Sequence, residues 1–182
     1  MSITKERQQT AYQALAGDFG YTSTMQGPRI EKVIISTGVG KKRDKKQIEL
    51  IEDRLAKITG QKAAPRAARI SIASFKVREG DTVGLQVTLR GARMYDFLDK
   101  LIHIALPRTR DFRGLSAGAI DDMGNITIGI KENTIFPETS DEDLKDVFGF
   151  AVTVVTTAKS KKEAEAFFRH LGLPLRTSEP TK

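Results

Sequence analysis

The sequence predicts an α+β fold: a two-layer sandwich, its sheet mainly antiparallel, with helices packed on one face and a long basic loop. Two observations predict it. Short β-branched segments with a period of two interleave with longer segments whose apolar residues recur every three or four positions. One pair of extended segments is hairpin-like, and no internal repeat or low-complexity tract suggests another architecture.

Residues 4–19 read as a first, polar helix, with Tyr12, Leu15 and Phe19 at helical spacing. Met25-Gln26-Gly27-Pro28 breaks it, and a strand follows over Arg29–Thr37, carrying Ile30, Val33, Ile34 and Ile35. After the turn Gly38-Val39-Gly40, a helix runs from about Asp44 to Thr59, with Ile48, Ile51, Leu55 and Ile58 on one face and Gly60 at its stop. Residues 61–82 are poor in large apolar side chains and rich in Ala, Ser, Arg and Lys, and read as a mobile excursion; a loop that long is more often functional than idle. Val83–Leu89 alternates as a strand. A helix over 92–105 presents Met94, Phe97, Leu98, Leu101 and Ala105, and Pro107 is expected to end it. Strands at Ile126–Lys131 and Phe150–Thr156 flank an acidic turn or short helix at Ser140–Val147. The last helix starts at Ser160, where Ser160 and Glu163 form a capping box, and buries Ala164, Phe167, Phe168 and Leu171. Residues 1–176 are expected to make a single domain, with 66–81 projecting from it and 177–182 a flexible tail.

Charge narrows the class of partner. Thirty Lys and Arg against 23 Asp and Glu give a net +7, and 39% hydrophobic content is enough to build a core. Residues 1–120 hold 22 basic and 12 acidic residues, whereas 121–182 hold 8 and 11, so the surplus is regional. A polyanion is the expected partner. A membrane surface fits less well, because the cations lie in loops and strands rather than along one amphipathic helix, and no window approaches the ~18 apolar residues of a span. The absence of cysteine fits the cytosol, and the first residues lack the apolar core of a signal peptide.

Enzyme chemistry finds no positive support. Gly38-Val39-Gly40-Lys41-Lys42 looks like half a phosphate loop, but Ile35 stands where the first glycine belongs and Lys42 where a Ser or Thr should hold magnesium. His103 and His170 have no second ligand at metal-binding spacing, and the acidic run 138–146 lacks the alternation of a calcium loop, so no metal or cofactor is expected. Asp121-Asp122 beside Gly124-Asn125 reads as turn chemistry. Three basic clusters differ in kind: Lys41 to Lys46; Lys62, Arg66, Arg69, Lys76, Arg78, Arg90 and Arg93; and Arg108, Arg110 and Arg113 around Phe112. Small residues interleave with the second cluster, letting backbone approach phosphates, and Phe75 offers a stacking surface.

Ordered motifs then carry a resemblance. Pro28-Arg29-Ile30-Glu31-Lys32, Ile58-Thr59-Gly60-Gln61-Lys62, Ser71 to Gly80, Val87-Thr88-Leu89-Arg90-Gly91, Ala105 to Gly114, Ile135-Phe136-Pro137-Glu138 and Val154 to Ala158 follow one another at family spacing. From about Phe19 to Arg176 the chain resembles the bacterial-type ribosomal protein five family of the large subunit, which binds 5S rRNA in the central protuberance. The resemblance implies a cytoplasmic, ribosome-bound, non-enzymatic protein with several partners: 5S rRNA, nearby large-subunit rRNA, peptidyl-site tRNA, neighbouring large-subunit proteins, and a small-subunit head protein at an intersubunit bridge. It places 5S rRNA contacts on Ser36, Gln61, Thr88 and Arg90, a tRNA-contacting loop on Arg66, Arg69, Ser71, Lys76 and Arg78, and the bridge region on Arg108, Arg110 and Arg113. Ser36 stands where the family usually has Asn, and a hydroxyl has fewer donors and less reach; Arg66 replaces a usual Thr. Two competitors remain. An RNA-recognition-motif domain is discouraged by the lack of the (Lys/Arg)-Gly-aromatic run, and a nucleotide-using enzyme rests on Gly38 to Lys42 alone.

Overall fold

A computed structural model describes residues 2–40, 45–110, 112–139 and 147–176. The chain is α+β, with five strands in the order β2-β3-β1-β5-β4: β1 Ile30–Gly38, β2 Ala64–Ala67, β3 Thr82–Leu89, β4 Ile126–Ile130 and β5 Phe150–Thr156. The sheet is antiparallel, and its alternation is regular. Val33, Ile35 and Thr37 of β1, Leu85, Val87 and Leu89 of β3, and Phe150, Val152 and Val154 of β5 are buried, while the residues between them are half-exposed. By their contacts the residues form two compact units, each built from separate stretches of chain.

One unit comprises residues 1–33, 90–128 and 153–182. Its helix α1, Ile3–Phe19, packs on α3 and α5, Gly91–Lys100 and Lys161–Leu171. The buried side of α1 is Thr4, Ala11 and Leu15; Tyr12 and Phe19, expected inside, stand half-exposed and stack against Tyr21. The first turn of α1 is held by Asp99 of α3, whose carboxylate accepts from the N–H of Ile3 at 3.0 Å, the N–H of Thr4 at 2.8 Å and the Thr4 hydroxyl. Burial works to raise the Asp99 pKa, but hydrogen bonds from Ser2, Thr4 and the Ile3 amide outweigh it and hold the carboxyl below its ordinary range.

Pro107 does not end the third helix. The chain turns on through a wider π turn at Leu101–Ala105 and a last turn, α4, at Leu106–Arg108. The widening falls where the proline ring would otherwise meet the carbonyl four residues back, which is how the helix passes it. At α5 the cap is half the expected box. Ser160 Oγ accepts from the Glu163 N–H at 3.3 Å, but the Glu163 carboxylate takes the N–H of Lys159 at 2.7 Å and the Tyr21 hydroxyl. Burial, then that carboxylate, pushes the Tyr21 phenol well above its ordinary pKa. The Asp121 turn is as read. Asp121 Oδ1 accepts from the Asn125 N–H at 2.7 Å, Gly124 has φ of 79°, and Thr156 Oγ1 donates to the Gly124 carbonyl at 2.6 Å.

The other unit comprises 34–89 and 129–152. Helix α2, Lys45–Thr59, buries Ile51, Leu55 and Ile58 against β3 and the 3₁₀ turn Pro137–Thr139. It stops at Gly60, whose φ of 69° lets its N–H bond the Ala56 carbonyl at 2.8 Å. Strand β2 is new relative to the sequence reading. Ala64, Pro65 and Arg66 pair with Gln86, Leu85 and Gly84, and the register slips before Ala67. Pro65 is tolerated because β2 lies at the sheet edge. The excursion therefore leaves the sheet after Ala67, two residues later than expected. Most of Lys41 to Lys46, all but Val147 of the acidic turn or short helix expected at Ser140–Val147, and the tail from Thr177 lie outside the described residues. Among the described residues no helix is long and apolar enough to cross a membrane.

Candidate nucleic-acid interface

On the half-exposed face of the second unit, β1, β3 and the start of β5 present Ser36, Gly84, Gln86, Thr88 and Ala151. A shallow trough of about 560 Å³ opens there, lined by Ser36, Gly38, Arg66, Gly84, Gln86 and Gly149 among others. Its floor is low because the residues are small, and two glycines are required. A Cβ on Gly84 would lie 3.1 Å from the Thr37 carbonyl oxygen, and one on Gly149 would lie 3.0 Å from that of Ile130. Floors without side chains let a sugar-phosphate backbone approach closely, and the polar rim supplies the contacts.

Arg66, expected in the projecting loop, stands on β2 and lines the trough. Its Nε donates to Gln86 Oε1 at 2.6 Å, which aims the guanidinium and leaves the Nη edge for an oxyanion. The sequence reading does not single out Gln86, although its place two residues before Thr88 on an alternating strand puts both on one face.

Gln61 and Thr88 are brought into contact. Thr59 Oγ1, which also contacts the Leu55 carbonyl at 2.7 Å, accepts from the Gln61 N–H at 3.3 Å and fixes the residue after the Gly60 turn. The Gln61 amide then donates to the Thr88 carbonyl at 3.3 Å. Its Oε1 and the Thr88 hydroxyl remain as a mixed acceptor and donor pair. Arg90 follows β3 directly and pairs with Glu31 at 3.5 Å; both are exposed, so the pair is weak and yields readily to a phosphate.

The excursion 68–81 continues the β2–β3 hairpin. Ala68 N–H bonds the Asp81 carbonyl at 2.8 Å, Ile72 and Val77 pair as an isolated bridge, and a 3₁₀ turn over Ala73–Phe75 forms the tip. Ser71 is used internally, since its Oγ accepts from the Glu79 N–H at 2.9 Å. Arg69, Lys76 and Arg78 lie along the arm, with Lys76 beside the tip. In the first unit, Arg108 is the last residue of α4, and Arg110 and Arg113 follow it. The strip that carries Arg113 is anchored to the C-terminal segment. Leu115 N–H donates to the Pro174 carbonyl at 2.7 Å, and Arg176 Nε donates to the Arg113 carbonyl at 3.0 Å.

Comparison with known proteins places the chain in a family. Residues 23–78 match the family model described as Ribosomal protein L5, and residues 82–175 match the model for the C-terminus of the same ribosomal family. A protein of Flavobacterium johnsoniae named large ribosomal subunit protein uL5 is 46% identical over 175 residues, covering 96% of each chain. Proteins of the same name from Trichlorobacter lovleyi and Ureaplasma urealyticum are 47% and 50% identical, covering 93% and 88% of this chain and 95% and 88% of their own.

Proposed function

The chain belongs to the ribosomal protein L5 family, a structural and non-enzymatic part of the large ribosomal subunit, and we propose that here it binds 5S rRNA through Ser36, Gln61, Thr88 and Arg90. The observation that carries this reading is Ser36 in the small-residue trough with the Arg66 cation at its rim, Thr88 on the same half-exposed face of the neighbouring strand, and the Gln61 amide on the Thr88 carbonyl. Arg66 joins this site rather than the arm, clamping phosphate over the trough while Gln61 and Thr88 read sugar hydroxyls or base edges. Ser36 lies low among glycines, so its short hydroxyl suits a backbone or 2′-hydroxyl contact better than a base edge.

The same reading gives the arm 68–81, with Arg69, Lys76 and Arg78, to peptidyl-site tRNA. Ser71 serves there by shaping the arm rather than by touching RNA. The strip at Arg108, Arg110 and Arg113 goes to nearby rRNA and the small-subunit head protein. Residues 1–176 would act together as one ribosomal domain in the bacterial cytoplasm, beside neighbouring large-subunit proteins.

Simultaneous Gln61→Ala, Thr88→Ala and Arg90→Ala tests the site. Losing two neutral contacts and one charged one is expected to weaken 5S rRNA binding by roughly 2.5–6 kcal/mol, on net contributions of about 0.5–1.5 kcal/mol for each neutral contact and about 1.5–3 kcal/mol for the charged one. Filter binding at fixed salt measures it, and an affinity unchanged from the native chain would remove these residues from the site.

A further inference from the structure

Among the described residues, seven large apolar side chains stand exposed, and three of them, Ile70 at 71%, Ile72 at 44% and Phe75 at 70%, are on the arm 68–81. Buried area cannot explain them, since they add nothing to the core. Solubility argues against them. They are also interleaved with Arg69, Lys76 and Arg78, so the arm is at once apolar and cationic.

The backbone holds Phe75 at the extreme of the arm. Phe75 closes the 3₁₀ turn, and Lys76 directly after it adopts φ of 51°, with its N–H on the Ala73 carbonyl at 3.0 Å. A non-glycine residue in that region costs about 1–3 kcal/mol and persists where the surrounding structure imposes it. The Ile72–Val77 bridge, with bonds of 2.9 and 3.2 Å, supplies that imposition. The tip is thus a shaped presentation of one aromatic ring rather than a slack loop.

A flat apolar ring on an arm that also carries guanidinium and ammonium groups matches one partner chemistry above others: a nucleobase with an exposed face, flanked by phosphates. Phosphate binding alone would need only the cations, and an apolar protein groove would not require the three charges. We infer that the arm grips structured RNA by stacking the Phe75 ring on an exposed nucleobase face, with Ile70 and Ile72 as an apolar shoulder and Arg69, Lys76 and Arg78 neutralising adjacent phosphates. This rests on the proposed tRNA contact and deepens it, from charge neutralisation to stacking.

The test uses whole ribosomes carrying Phe75→Ala, Phe75→Leu or Phe75→Tyr, and peptidyl-site tRNAs each with 2-aminopurine at one exposed loop position. With the native chain, one position is expected to be quenched by the ring. Phe75→Ala and Phe75→Leu should abolish that quenching and speed tRNA dissociation between about fivefold and a hundredfold, the range seen when a stacked aromatic is truncated. Phe75→Tyr should restore both. Unaltered quenching with Ala, restoration by Leu as fully as by Tyr, or no quenched position in native ribosomes would overturn the inference. The 5S rRNA content of the same particles, read by gel, should be equal in all variants. A fall there would tie the ring to the sheet site and also overturn it, whereas failure of the sheet site itself is read only by the Gln61, Thr88 and Arg90 variant. Finally, stable binding of the Phe75→Trp chain to phosphatidylglycerol vesicles, with a blue-shifted tryptophan, would assign the tip to a membrane surface instead.

Discussion

Gly124→Ala should be among the most damaging single-methyl changes in the chain. Gly124 is buried with φ of 79°, and a Cβ there would stand 2.9 Å from the Ala158 Cβ and 3.0 Å from the Ala158 carbonyl oxygen. The left-handed conformation costs an L-residue roughly 1–2 kcal/mol. Two carbons at optimal contact sit about 3.5–4.0 Å apart, so the turn and the Ala158 segment must separate by several tenths of an ångström, at about 1–3 kcal/mol. Alanine returns roughly 0.4–1 kcal/mol by stiffening the unfolded chain. The sum is a loss of about 2–4 kcal/mol. Separation is resisted because that same segment holds the turn: Thr156 Oγ1 donates to the Gly124 carbonyl at 2.6 Å, and the Thr156 N–H donates to Asn125 Oδ1 at 3.2 Å. Urea unfolding followed by circular dichroism measures the effect as a fall in midpoint of about 1–2 M, with a slope of roughly 2 kcal/mol/M. A second variant separates the causes. Ala158→Gly in the Gly124→Ala background removes the Cβ clash but neither the carbonyl contact nor the backbone strain, and should recover only part of the loss. A cost under about 1 kcal/mol, or no coupling between the two positions, would refute the reasoning.

Three other outcomes follow from the same physics. Because the Asp99 carboxyl is held below its ordinary pKa of 3.8, its contribution to stability is complete above that value and is lost as pH falls through the lower folded value; Asp99→Asn should flatten acid unfolding in that window and fray α1 by amide exchange. The Tyr21 phenol is raised above 10.0, so its contribution is complete below that pH and is lost as pH rises through the higher folded value; Tyr21→Phe should cost about 0.5–1.5 kcal/mol at neutral pH and remove the alkaline decline in thermal unfolding. Arg66→Ala should lower the log–log salt dependence of 5S rRNA binding by roughly 0.7–0.9, one phosphate's share, and an unchanged slope would take Arg66 off the RNA.

Helix faces are legible wherever apolar residues recur on a helical period over several turns. Met94, Phe97, Leu98, Leu101 and Ala105 are all buried, as are Ala164, Phe167, Phe168 and Leu171. The first helix reads one step off, because its buried line includes Thr4 and Ala11, a polar and a small residue that weigh little in an apolar pattern. Strand β2 is illegible for a different reason. Ala64-Pro65-Arg66-Ala67 has almost no intrinsic strand preference, and it is extended because β3 offers it an edge to pair with. Pro107 reads as a stop because the π turn that lets a helix pass it leaves no mark in composition. At the candidate site, residue chemistry is readable but adjacency is not. Gln61 meets Thr88 only because a 27-residue span closes on itself, and Arg66 meets Gln86 only through the β2–β3 register.

The edge strand β2 also bears on how the chain behaves before it finds RNA. A sheet edge is an open template on which another copy's strand can grow, and that growth seeds aggregates. Here the edge at β2 is four residues long, contains a proline with no amide to share, is thrown out of register before Ala67, and carries a cation at Arg66. The charge that is proposed to clamp phosphate therefore repels its own kind while the phosphate is missing. A newly made chain is protected at this edge by residues that include the cation proposed to clamp phosphate.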